Sequence, residues 1–189
     1  MAWSGEDSNA EWVRDDVVPM SPISDEHQEL AAFLQTILRI YARRNALGVV
    51  RYERFVMRLK DVPSAREPDI LFVSTANKNR LKNTYLDGPA DLVIEVINLE
   101  SRERDRGAKF YEYERGGVPE YWVIDPLRQE ADFYILDESE RYRQVPVAED
   151  GYFYSHSLKG FRLNPVWLWE DPLPDELEIL ALVVTKGSL

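Results

Sequence analysis

No cysteine occurs anywhere in the 189 residues. Disulfides, thiolate metal sites and a cysteine nucleophile are therefore excluded. Histidine is almost as scarce. His27 and His156 are the only two, and their contexts share no ligand spacing that would mark a zinc site. A phosphate-binding glycine loop, a dinucleotide fingerprint and the signatures of Ser-His-Asp catalysis are all missing. No apolar run approaches the ~20 residues that span a bilayer. The opening Met-Ala-Trp-Ser-Gly-Glu-Asp lacks the basic and apolar regions of a signal peptide. The expectation is a soluble, cytoplasmic protein with no membrane contact.

Positive charge is also in deficit: 23 Lys and Arg stand against 34 Asp and Glu, a net of −11. Phosphate contacts dominate nucleic-acid affinity, so this balance argues against a general nucleic-acid binder. The distribution weakens the objection. Residues 31–128 hold 17 basic and 14 acidic residues, whereas the flanks hold 6 and 20. What is abundant is core material, 44% apolar and 12% aromatic, enough for one globular domain. The expected organisation is a loose N-terminus over 1–10, one domain over 11–170, and an acidic C-terminal tail over 171–189 packing on it.

Glu11 to Met20 reads as a short strand or hairpin, confined to an edge by Pro19 and Pro22. Ser24 is a plausible N-cap, and Leu30, Phe33, Leu34, Ile37, Leu38 and Tyr41 follow at helical spacing up to a stop at Asn45–Gly48. Gly48 to Leu59 reads as one strand region, bulged at most. Residues 69–75 and 91–97 make two more strands. Ser101 to about Arg115 is helical, stopped by Gly116-Gly117. Glu120–Asp125 and Ala131–Leu136 form an antiparallel pair around a turn at Pro126, with short strands near 141–147 and 151–154. Pro165 to Trp169 packs, and Leu177 to Val184 is an apolar run of open type. The fold class is α/β (α+β): a mixed β-sheet with flanking helices, in core order helix, three strands, helix, strand, followed by C-terminal hairpin strands.

Within this pattern Glu95 is out of place. In Asp91-Leu-Val-Ile-Glu-Val-Ile97 it shares a strand face with Asp91, Val93 and Ile97. A carboxylate among buried apolar residues needs a partner, a metal or a task, because an unpaired buried charge costs several kcal/mol. Asp69 opens the preceding strand and can approach the same point if the two strands are neighbours. Two hard carboxylates suit Mg²⁺ or Mn²⁺, which take oxygen ligands and keep several waters. Lys109, on the following helix, is the cation that would position a water and neutralise charge developing on phosphorus. Plainer readings exist for each. Lys109 lies four residues after Asp105, an ordinary helical pair worth ~0.3–0.5 kcal/mol. Asp69 could be a turn residue, Glu95 could pair with an arginine, and Asp91 could simply start its strand. Tyr113, Tyr121 and Trp122 read as packing aromatics.

Pro68-Asp69 followed by Glu95-Val96-Ile97 resembles the PD-(D/E)XK nuclease superfamily, with Ile97 where that motif has its lysine. Pro89-Ala-Asp-Leu-Val-Ile-Glu-Val-Ile97, then Arg104-Asp105, Lys109, Tyr113 and Gly117-Val-Pro-Glu-Tyr-Trp-Val-Ile-Asp-Pro126, is similar to the Uma-type family of putative restriction endonucleases. The resemblance runs over roughly residues 11–170 and is most specific over 89–126. It implies a restriction-endonuclease-like fold and a metal-dependent endonuclease hydrolysing DNA phosphodiester bonds. Asp69 and Glu95 would be metal ligands, and Lys109 would stand in for the displaced lysine. Glu11 and His27 match an early Glu and a helix-start His of the family, although Glu11-Trp-Val-Arg-Asp-Asp departs from its commoner Glu-Leu-Ile-Asp-Gly-Glu. Accessory candidates are thus Asp91, Glu11, His27 and Tyr113, with phosphate contacts from Lys78, Arg80, Lys82, Arg102, Arg104 and Arg106. Double-strand cleavage would favour a homodimer. Two other classes compete: a binding or regulatory module that keeps the nuclease fold without catalysis, and a two-carboxylate hydrolase acting on sugars.

Overall fold

The computed structural model describes residues 10–13, 16–19, 24–53, 55–60, 62, 64–98 and 107–183. Two sheets clasp one short helix. The chain begins with a hairpin, β1 (Ala10–Val13) and β2 (Asp16–Pro19), paired antiparallel. Helix α1 (Asp25–Arg44) follows, and the Ser24 hydroxyl accepts from the His27 N–H at 3.2 Å as the N-cap. Acidic residues fill its first turn and Arg43 and Arg44 its last, matching the helix dipole. Leu30, Phe33, Leu34, Ile37, Leu38 and Tyr41 are buried along one face, as their spacing predicts.

Residues 48–59 do not make one strand. At Glu53 the backbone turns to φ +31°, and β3 (Gly48–Tyr52) and β4 (Val56–Leu59) part into different sheets. The remaining strands are β5 (Ser64–Arg66), β6 (Ile70–Ser74), β7 (Tyr85–Asp87), β8 (Leu92–Val96), β9 (Glu120–Asp125), β10 (Glu130–Leu136), β11 (Tyr142–Gln144), β12 (Phe153–Tyr154) and β13 (Arg162–Leu163). The central sheet has the order β11-β10-β9-β8-β6-β3, and the second sheet has the order β2-β1-β5-β4-β7. β12 pairs with β13 alone. In the central sheet β8 and β9 are parallel, joined through α2 (Lys109–Arg115), while β6 and β10 flank them antiparallel. A parallel pair requires such a crossover.

The alternation along β8 sorts the core. Leu92, Ile94 and Val96 face α1, together with Phe33, Ile37, Trp122 and Phe161; Val93 and Ile97 face the other way, with Tyr113, Tyr121, Met57 and Leu59. The second face therefore packs α2 between the two sheets. The apolar run near the C-terminus is helix α3 (Glu176–Val183), which lies against α1 with Ile179, Leu180 and Val183 buried. No helix among the described residues is long and apolar enough to cross a membrane.

Candidate active site

Glu95 lies on β8, 1% exposed, and its charge is met from two sides by α2. Lys109 Nζ donates to Oε2 at 2.9 Å, and the Tyr113 hydroxyl donates to Oε1 at 2.6 Å. Lys109 and Tyr113 stand one helical turn apart, so both reach the same strand position. The ion pair is closed to bulk water, with side chains 6% and 2% exposed. Two charge-assisted bonds in this dry setting are what allow a carboxylate to sit among Val93, Ile97 and Val123.

Asp69 stands just before β6. The register pairs Ile70 with Ile94, and one step further sets Asp69 across from Glu95. Its Oδ2 accepts from the Val96 N–H at 2.7 Å, and His27 Nε2 lies 3.2 Å from the same oxygen. Asp69 is the more open carboxylate, 17% exposed. No described residue donates to its Oδ1. Asp69, Glu95, Lys109, Tyr113 and His27 thus converge on the carboxyl-terminal end of β8. The sheet brings these five together from residues 27 to 113.

Other expected members lie elsewhere. Asp91 sits at the opposite end of β8, about 13 Å away by strand rise. There its Oδ2 accepts from the Ser74 N–H and its Oδ1 from Asn77 Nδ2, both at 2.7 Å. Asp91 closes the turn after β6 and takes no part in the Glu95 cluster. Lys78, Arg80 and Lys82 follow the same end, on and after a 3-10 turn over Thr75–Arg80. Arg80 bonds the Pro89 carbonyl at 2.8 Å and Lys82 the Asn79 carbonyl at 3.2 Å. Arg102, Arg104, Arg106 and the start of the expected helix at Ser101 lie outside the described residues, as does the side chain of Glu11.

Three buried charged groups stood out less in the sequence. Arg66 on β5 is 1% exposed and donates from Nε to Glu112 Oε2 of α2 at 2.7 Å. Glu120 at the start of β9 is fully buried, accepting from Trp122 Nε1, Ser155 Oγ and the Ser157 N–H. Burial raises its carboxyl above the ordinary value, and those donors pull it partly back. Asp125 ends β9, buried beside Ile97 by register, its Oδ1 accepting from the Arg128 N–H. The only available sign for Glu120 and Asp125 was that each bounds a wholly apolar strand.

The donor set suits a hard cation in kind: carboxylate oxygens, one of them without a donor. Among the described residues no group of three or more His, Cys, Asp or Glu could hold a metal ion. Mg²⁺ usually binds through one or two carboxylates plus waters and phosphate oxygens, so the pair of Asp69 and Glu95 is compatible with it.

The fold matches a putative nuclease of the DUF820 group from Anabaena variabilis, with TM-score 0.71 and 13% identity over 88% of this chain and 93% of that one. At that identity the likeness concerns the fold. The type IIG restriction endonuclease BpuSI aligns more loosely, TM-score 0.39 and 14% identity, covering 90% of this chain and 19% of that one, too loosely to carry weight. Among curated proteins none matches the sequence. A family model described as Uma2, putative restriction endonuclease, matches residues 1–165.

Proposed function

The chain belongs to the Uma2 family of putative restriction endonucleases, and from that premise we propose that it is a metal-dependent endonuclease that hydrolyses DNA phosphodiester bonds at Asp69, Glu95 and Lys109. The observation that carries this reading is the 2.9 Å contact between Lys109 and Glu95, one residue from the Val96 N–H that holds Asp69. On this reading Lys109, reaching Glu95 from α2, takes the part of the lysine missing at Ile97.

Asp69 and Glu95 would hold Mg²⁺ or Mn²⁺, which when bound supplies positive charge to polarise a phosphoryl oxygen and to acidify a water. The protein's own contributions follow from its contacts. The Lys109 ammonium, oriented by Glu95, would donate to a non-bridging phosphate oxygen as negative charge builds on the pentacovalent phosphorus. Tyr113 fixes the second oxygen of Glu95, and His27 together with the Val96 N–H fixes Oδ2 of Asp69, while no described residue donates to Oδ1. Such fixed donors and acceptors need no reorganisation when charge develops.

The closure of the Lys109–Glu95 pair favours a second reading, a module that keeps the fold and uses this ion pair for structure alone. A cleavage screen over single-stranded, duplex and branched DNA with Mg²⁺ and Mn²⁺ separates the two. The endonuclease reading expects metal-dependent cuts that Lys109→Ala abolishes while the variant stays folded. Absence of cleavage on every substrate, with no divalent cation bound, supports the binding module.

A further inference from the structure

We propose that Arg66 is a positioning residue for this centre: its buried ion pair with Glu112 sets where α2 holds Lys109 and Tyr113 relative to Asp69. The inference rests on the endonuclease reading above.

Helix α2 has seven residues, Lys109–Arg115, too short to be stable or oriented by its own hydrogen bonds. Contacts must hold it. Lys109, Glu112 and Tyr113 fall on one helical face at spacings of three and four. Lys109 and Tyr113 bind Glu95 of the central sheet, and between them Glu112 binds Arg66 of the second sheet at 2.7 Å. The helix is gripped from both sheets through the same face.

Arg66 also belongs to the strand end that delivers Asp69. Only Glu67 and Pro68 separate them, at most about 10 Å of extended chain. One short segment therefore carries both Asp69 and the clamp on the helix that supplies Lys109. A shift of that clamp moves the ammonium and the carboxylate relative to each other.

Stability alone gives little reason for charges here. Arg66 lies opposite Met57 in the register, with Leu59 of the same strand in the apolar cluster around it. Buried ion pairs are often matched or exceeded in stability by apolar side chains of similar volume. What an arginine–carboxylate pair adds is direction, since the planar guanidinium fixes its partner's angle as well as its distance. Glu114, on the other side of the helix, accepts from Arg141 Nη1 and the Tyr142 N–H, and Arg66 fixes the angle of the face that carries Lys109 and Tyr113.

The test is the double variant Arg66→Met/Glu112→Met, with Arg66→Lys beside it. Both are read by thermal melting, by single-turnover and steady-state cleavage, and by the ¹⁵N NMR signal of the Lys109 ammonium. The expected result for the double variant is near wild-type melting, kcat lower by roughly 10- to 100-fold with KM little changed, and a shifted or lost Lys109 signal. Arg66→Lys should also lose kcat and shift that signal, because an ammonium cannot reproduce the directed Nε–H donor of the guanidinium; it decides the matter if the double variant fails to fold. Wild-type kcat and an unmoved Lys109 signal in a folded variant would overturn the proposal. If the wild-type protein cuts nothing, the endonuclease reading fails on its own, and the Lys109 signal alone decides whether Arg66 positions it.

Discussion

Lys109 and Tyr113 reach the buried Glu95 from one helix face, and the two contacts differ in what their loss should cost. Tyr113→Phe removes one bond to a charged acceptor and leaves the ion pair, so a loss of about 1.5–3 kcal/mol in urea unfolding is expected. Lys109→Ala strands a buried carboxylate and should cost more, about 3–5 kcal/mol; equal losses would mean that the ion pair is not the main partner. Glu120 gives a pH prediction. Its carboxyl is raised by burial, so the native state binds its proton more tightly than the unfolded chain does. Its contribution is fully favourable below the unfolded value near 4.3 and is lost as pH rises through the raised native value. Unfolding free energies of wild type minus Glu120→Gln should fall with pH over that interval, and a flat difference would contradict it. Glu95 was legible because its strand neighbours are apolar. Arg66 was not: an arginine beside Glu67 and Pro68 looks like any solvated turn, and its partner lies 46 residues on.

At the level of elements, α2 ends in a closed geometry. The Val118 N–H bonds the Tyr113 carbonyl and the Gly117 N–H the Glu114 carbonyl, with Gly117 at φ +75°, the pattern of a Schellman stop. Gly117→Ala should cost about 1–2 kcal/mol for the left-handed backbone, measured by chemical denaturation; an unchanged midpoint would show that the helix stop is not strained by a side chain. Helix α1, β8, α2's glycine stop and the β9–β10 hairpin were legible because periodicity, caps and turn residues agree there. The division of residues 48–59 between two sheets was not. Both Val49–Tyr52 and Phe55–Leu59 are rich in β-forming residues, and among the described residues it is the backbone at Glu53 that marks the break. β5 and β7, three residues each, are too short to show a period, so the second sheet went unforeseen.

On the scale of the whole molecule, the two sheets place Asp69 and Glu95 at one end of the strands and the Lys78–Lys82 turn at the other. Five residues of β6 separate them, about 17 Å, or roughly five base-pair steps along a duplex. Lys78 and Lys82 could therefore touch a neighbouring phosphate without touching the scissile one. Lys78→Ala/Lys82→Ala should flatten the salt dependence of DNA binding by nearly two in the slope of log K against log salt, while the single-turnover cleavage rate at saturating DNA stays unchanged. An unaltered slope would remove this turn from the proposed DNA contacts. On the proposed function Glu95 is a functional carboxylate and not only a buried ion-pair partner. Its most direct test is the single-turnover rate of duplex cleavage in Mg²⁺ for wild type and for Glu95→Gln, with folding of both verified by near-ultraviolet circular dichroism. The folded variant should lose at least about a hundredfold in rate; a folded Glu95→Gln protein that cuts at the wild-type rate would mean that Glu95 serves the ion pair alone.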